Sequence, residues 1–301
     1  MNPIFRKSNK KRAFTIVELL TVMSIIVLLI GLLVPALSKV KIYARKVKQS
    51  AQFHSIDVAM ELFNTEHEGY PNSSAKDEKG VSYCGAMKLC EAMMGQDLLG
   101  FHPDSKFRMD GKDGDGGTVL YPASLDTSTP EGKENLRSRK GPYLQLENAN
   151  ASPLWGLYSS RPGNVGSLNG NLPVLCDVYT NVDNASTGKK GGMPILYYKA
   201  NTTNTQHEPN SLPTAWNNDN GNIYNYLDND ELVVKGKVPW EPAATHPMGS
   251  DVTPKIFYES TRNTNISTLS RPYRPDSYIL MSAGFDGLYG TPDDVFNFER
   301  E

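Results

Sequence analysis

KKRAFTIVELLTVMSIIVLLIGLLVPAL, residues 10–37, sets the organisation of the whole chain. It opens on a basic cluster and becomes almost wholly apolar, yet Glu18 stands inside the apolar run. A carboxylate at the centre of a membrane helix costs about 2.5–3.5 kcal/mol on translocon scales, and an ordinary anchor has no use for one. From Leu19 to Leu37 there are 19 residues without a charge, close to the length a helix needs to cross the hydrocarbon. Three readings are open. The first is a signal peptide with a small-residue site at Val34-Pro35-Ala36. The second is a plain single-span anchor. The third is a leader cut before the span.

Working outward, charge does not orient the span. Arg6, Lys7, Lys10, Lys11 and Arg12 precede it, and Lys39, Lys41, Arg45, Lys46 and Lys48 follow it, a tie under the positive-inside rule. The pattern beyond the span is more informative. No helix breaker falls between Ser38 and Glu68. Val40, Val47, Ala51, Val58 and Leu62 form one apolar stripe, and Phe53, Ile56, Met60 and Phe63 form a second. Gly69 is expected to supply a left-handed cap, and Pro71 blocks continuation. One helix is therefore expected from about Phe14 to Glu68, on the order of 80 Å at 1.5 Å per residue. A signal peptide would lose half of it. Pro35 reads as a kink within a continuing helix, softened by Gly31 one turn earlier.

Ala13 followed by Phe14-Thr15-Ile16-Val17-Glu18-Leu19 resembles the leader junction of type IV pilins and type II secretion pseudopilins. Glu18 lies four residues after Phe14 and Pro35 lies 21 after it, where the family has its glutamate and often a proline. Ala13 replaces the usual glycine and keeps a small residue at the cut. The resemblance covers roughly residues 7–70. It implies cleavage by a prepilin peptidase between Ala13 and Phe14, and methylation of the Phe14 amine. It also implies filament assembly with other pilin or pseudopilin subunits on an inner-membrane platform. Within a filament Glu18 would meet a neighbour's Phe14 ammonium, and a pair in low dielectric is cheaper than either charge by itself. Glu18 otherwise reads as an interfacial carboxylate that snorkels to the headgroups.

The remainder of the chain reads as a loop-rich extracytoplasmic domain. The whole chain is 39% hydrophobic, has net charge −2, and contains 25 Gly and 20 Pro. Near-neutrality gives no electrostatic case for a nucleic-acid partner. YCGAMKLCEAMMGQDLLGF (83–101) is expected to be an amphipathic helix with Met87, Cys90, Met94 and Leu98 on one side. HPDSKFRMDGKDGDGGT (102–118) reads as a solvated loop, because Asp110, Asp113 and Asp115 lack the EF-hand spacing and its closing Glu. Strands are expected at 173–179, 193–200, 230–238, 255–260 and 277–284. Three cysteines set up no disulfide framework. A bridge from Cys84 or Cys90 to Cys176 and buried free thiols both stay open. Trp155, Trp216 and Trp240 read as core or loop anchors more readily than as a sugar platform. No nucleophile elbow, phosphate loop or zinc motif is present, so an enzyme is not expected.

SAGFDGLYGTPDDVFNF (282–298) resembles the C-terminal loop of the major pseudopilin, in which carboxylates and a backbone carbonyl hold calcium. The resemblance implies calcium at Asp286, Asp293 and Asp294 with the carbonyl of Leu288. Gly287 and Gly290 let the loop fold back. The fold expected is α+β and pilin-like, with one long N-terminal helix on an antiparallel sheet and long loop insertions. The leader is 1–13, the membrane half of the helix 14–37 and the extracytoplasmic domain 38–301. The function expected is a pseudopilus or pilus subunit, single-pass in the inner membrane, with its domain in the periplasm or at the surface. The alternative is an anchored or secreted binding protein, for example one for carbohydrate.

Overall fold

The computed structural model describes residues 15–158, 166–180, 182–183, 188, 190–207, 221–234, 245–250 and 254–300. The leader with Ala13 and Phe14, and Trp216 and Trp240, lie outside the described residues. The chain divides into two units, Met1–Ala44 and Arg45–Glu301. In chain order the elements are α1 (Ile16–His67), α2 (Gly85–Met94), α3 (Pro130–Ser138), α4 (Leu146–Ala149), β1 (Ala151–Pro153) and α5 (Leu154–Tyr158). They continue with β2 (Pro173–Leu175), β3 (Val182–Asp183), β4 (Lys190–Gly191) and β5 (Leu196–Lys199). The last are α6 (Asp230–Val234), α7 (Pro247–Ser250), α8 (Lys255–Thr261), β6 (Tyr278–Ser282) and β7 (Val295–Phe296).

In the first unit α1 is unburied along its most apolar stretch, and the helix is long and apolar enough to cross a membrane. Its hydroxyls turn back onto the helix. Thr21 Oγ1 donates to the Glu18 carbonyl at 2.9 Å, Ser24 Oγ to that of Leu20 at 2.8 Å and Ser38 Oγ to that of Val34 at 3.1 Å. Such bonds hide polar atoms where no water is at hand. The helix continues through Pro35, as expected from the sequence.

In the second unit α1 buries Gln49, Gln52, Phe53, Ile56, Ala59, Met60 and Phe63, spaced at three and four. It ends one residue earlier than the glycine suggested. Glu68, not Gly69, takes the left-handed conformation, at φ 55°. That conformation costs a non-glycine residue about 1–2 kcal/mol. The offset is His67, whose ring packs 4.3 Å from Phe63 and 5.1 Å from Phe101, centroid to centroid.

The central sheet has the antiparallel order β5-β6-β7, with Leu196 opposite Met281 and Met281 opposite Phe296. Alternate residues serve two cores, as the two-residue strand period requires. Tyr197, Tyr278, Leu280 and Val295 pack with Phe53, Ile56 and Met60 of α1. Leu196, Tyr198, Ile279, Met281 and Phe296 pack with Leu232 and Val233 of α6, Met248 of α7 and Phe257 of α8. The sheet is therefore covered on both faces. The other sheets are two-stranded, β1-β2 and β3-β4.

Two expected strands are helices. Residues 255–260 form α8, where Phe257, Tyr258 and Thr261 share one buried face and Lys255 pairs with Glu259 at 3.5 Å one turn on. Residues 230–234 form α6, with Asp230 and Glu231 in the first turn, where the helix dipole favours acids; 235–238 lie outside the described residues. Apolar runs this short do not separate strand from helix by period.

Helix α2 is shorter than 83–101 and is not amphipathic, for all ten residues are buried. It contributes Ala86 and Met87 to one core and Leu89, Cys90 and Met93 to the other. Its charged residues find partners inside, although Glu91 keeps one buried oxygen, Oε1, without a partner among the described residues. Lys88 Nζ donates to the carbonyls of Ser74 and Lys76 and to Ser74 Oγ at 2.8–2.9 Å. Tyr83 Oη donates to Glu91 at 2.5 Å. Cys84, Cys90 and Cys176 are buried and unbridged, and burial pushes the Cys84 thiol up to about 12. Trp155 stays 42% exposed, so it anchors no core.

Candidate functional site

Two regions carry the residues singled out in the sequence. The first is the start of α1. Thr15 N–H and Thr15 Oγ1 donate to Glu18 Oε2 at 2.9 and 2.7 Å, and Glu18 N–H donates back to Thr15 Oγ1 at 3.2 Å. This is a reciprocal capping box, which satisfies two of the four amide donors a helix start leaves open. Thr15 was not singled out in the sequence. The Thr-x-x-Glu spacing at 15–18 was the signal that could have found it.

The same helix carries its two apolar stripes to different fates. Phe53, Ile56, Met60 and Phe63 are at most 3% exposed. Val47, Val58 and Leu62 are each about half exposed, and Ala51 between them is exposed as well. Burying such a stripe releases about 25 cal/mol per Å² of apolar surface, so it is a driving force left unspent in the single chain.

The second region is the loop between β6 and β7. Gly287 and Gly290 have φ 72° and 92° and fold it back, as expected. Gly284, at φ 66°, is equally required, since a Cβ there would meet the Asp293 carbonyl oxygen at 2.3 Å. Asp293 Oδ2 accepts from the Asp286 N–H at 3.0 Å, and Asp293 Oδ1 from Thr291 Oγ1 at 2.5 Å. Asp286 Oδ1 accepts from the Leu288 N–H at 2.8 Å. Asp294 Oδ2 accepts from the Gly290 and Thr291 N–H groups at 2.8 and 3.0 Å. The Leu288 carbonyl accepts from Thr291 Oγ1 at 3.3 Å.

Electrostatics separate the three acids. Burial, reinforced by the neighbouring Asp293 charge, pushes the Asp286 carboxyl up. Asp293 also pays a burial cost, yet the bonds from Thr291 and the Asp286 N–H hold it below the usual range. Burial raises Asp294 well above the usual range, and its Oδ1 is buried without a partner among the described residues. The neighbouring Asp286 and Asp293 carboxylates offer oxygens of the kind a hard cation takes. The described residues nonetheless hold no ready-made cluster of three or more His, Cys, Asp or Glu side chains. Asp294 is committed to the 290–291 turn through Oδ2. Beside the loop, the Arg45 guanidinium lies 5.6 Å from the Phe285 ring centroid, a cation–π contact to α1.

The chain matches no protein-family model, no curated protein and no solved structure.

Proposed function

We propose that the chain is a structural pilin or pseudopilin subunit, processed by a prepilin peptidase and assembled through α1 into a filament on an inner-membrane platform. One observation carries the reading. Helix α1 runs unbroken from Ile16 to His67, apolar and unburied at first. It then buries one stripe under its own domain and leaves the Val47–Val58–Leu62 stripe uncovered. A plain anchor needs neither the continuation nor the second stripe. In a filament the second stripe packs on neighbouring copies, and Glu18 pairs with a neighbour's Phe14 amine. The domain is then extracytoplasmic.

The pseudopilus branch rests on the C-terminal loop. Asp286, Asp293, Asp294 and the Leu288 carbonyl would hold calcium, which supplies charge neutralisation where the Asp286 and Asp293 carboxylates face one another. Thr291 and the glycines hold the loop in that form.

The deciding experiment is the mature N-terminus by intact mass after co-expression with a prepilin peptidase. Cleavage after Ala13 supports the reading. Cleavage after Ala36, or none, rejects it. Ala13→Leu should block maturation, because a branched side chain replaces the small residue at the cut.

A further inference from the structure

A cleft of about 700 Å³ lies between the 102–119 loop and α3. Asp104, Asp113, Asp115, Glu131 and Glu134 line it, against one lining cation, Lys106. The loop folds tightly to make this wall. Asp113 accepts from the Gly117 and Thr118 N–H groups at 2.8 and 3.1 Å, and the Asp104 carbonyl accepts from the Gly114 N–H at 3.0 Å. The Lys106 side chain lies over Gly114, where a Cβ would meet its Nζ at 2.9 Å. Lys106 makes no ion pair among the described residues.

His102 adds a second, independent feature. Its side chain is only 6% exposed, and it lines the cleft. Its Nδ1 accepts from the Asp104 N–H at 3.3 Å, so the neutral ring carries its proton on Nε2. Burial lowers the pKa and favours that neutral form. Nε2 has no hydrogen-bond partner among the described residues. The cleft thus asks for cations and, between them, one hydrogen-bond acceptor. A metal ion or a simple polyamine brings no acceptor.

The chain itself carries a match. Residues 39–48 hold Lys39, Lys41, Arg45, Lys46 and Lys48 and no acid. The four lysines are exposed, and none of the five cations forms an ion pair among the described residues. Lys39, Tyr43 and Lys46 are four and three residues apart, on one face of α1, and Tyr43 is 70% exposed. That face presents cation, phenol and cation in order. We infer that the 102–138 cleft docks the 39–48 stretch of a second copy of the chain, with lysines against Glu131, Glu134 and Asp115 and the Tyr43 hydroxyl accepting from His102 Nε2. The inference rests on the reading that copies of this chain associate.

The test uses the full chain in detergent micelles and a fluorescent peptide of residues 38–50, followed by anisotropy. The peptide should bind, and binding should weaken with salt as screening shortens to about 8 Å at physiological ionic strength. Asp115→Asn/Glu131→Gln/Glu134→Gln should weaken it at least about tenfold, since each exposed pair contributes little by itself. A Tyr43→Phe peptide should bind about fivefold less tightly, the worth of one neutral hydrogen bond. In cells, two differently tagged copies that both carry Glu131→Lys/Glu134→Lys should lose co-purification with one another, and adding Lys39→Glu/Lys46→Glu to both should restore it. An unchanged affinity in the triple variant overturns the inference, as does equal binding of a scrambled peptide of the same charge. Filaments that form normally with the cleft neutralised overturn the contact and leave the subunit reading standing. Peptide binding and charge-swap rescue without any filament support the contact and count against the filament.

Discussion

Thr15 and Glu18 close a capping box at the start of α1, with the carboxylate taking both the amide and the hydroxyl of Thr15. Glu18 therefore has a task within its own chain before any neighbour arrives. The cap and the charge can be separated. Glu18→Gln keeps an oxygen for the Thr15 N–H and removes the charge. Thr15→Val keeps the charge and removes the cap, at about 1 kcal/mol confined to the first turn. If filament entry uses the charge, Glu18→Gln is depleted from sheared filaments while Thr15→Val enters them. The reverse ranking in quantitative immunoblots assigns Glu18 to the cap.

The two stripes of α1 separate folding from assembly. Ile56→Ala and Phe63→Ala remove side chains that are 0% and 3% exposed, at about 2–5 kcal/mol each. Val58→Ala and Leu62→Ala remove exposed ones and should change stability by no more than about 0.5 kcal/mol. Chemical denaturation of the full chain in micelles checks the first contrast. Filament yield should fall for Val58→Ala/Leu62→Ala even though its unfolding midpoint is unchanged.

Calcium should raise the melting temperature of the full chain if it binds the folded loop and not the unfolded chain. At a hundredfold excess over Kd the gain is about 2.7 kcal/mol, or roughly 5–10 °C for a domain of this size. Asp286→Asn/Asp293→Asn should abolish the shift and spare the turn held by Asp294. Identical wild-type melting in millimolar calcium and in chelator rejects the site.

Buried acids give a pH signature. Burial pushes Asp177 up to about 8 and Asp228 up to about 7, each partly opposed by hydrogen bonds, from Ser282 and Ser73 respectively. Folded pKa values above the unfolded ones mean that the native state binds more protons. Stability contributed by these groups is present below about pH 4 and is lost as pH rises towards 8. Asp177→Asn fits the site. Oδ1 still accepts from Tyr179 and Met193, and the amide can donate to Ser282. It should match wild type near pH 4 and exceed it at pH 9, read as the difference in melting temperature. A variant equally less stable at both pH values overturns this.

Helix α1 was legible because its signals are local. A charge-free run, an absence of breakers and two stripes of regular spacing do not depend on distant residues. The loop glycines were legible for the same reason, since positive φ selects glycine wherever it falls. The sequence by itself thus determined the long helix, its apolar start, the place of Glu18 near that start and the fold-back of the loop at Gly287 and Gly290. Tertiary structure decided which stripe of α1 is covered, because both are apolar and only the β5-β6-β7 face selects Phe53, Ile56, Met60 and Phe63. It made α2 buried all round by wedging it into both cores, a position in which Lys88 and Glu91 hold partners that no spacing rule anticipates. It turned 230–234 and 255–260 into helices, because packing, helped at 230–234 by an acidic first turn, outweighs the weak strand preference of short apolar runs. It also brought α3 against the 102–119 loop, and a cleft between segments distant in sequence has no local signal at all.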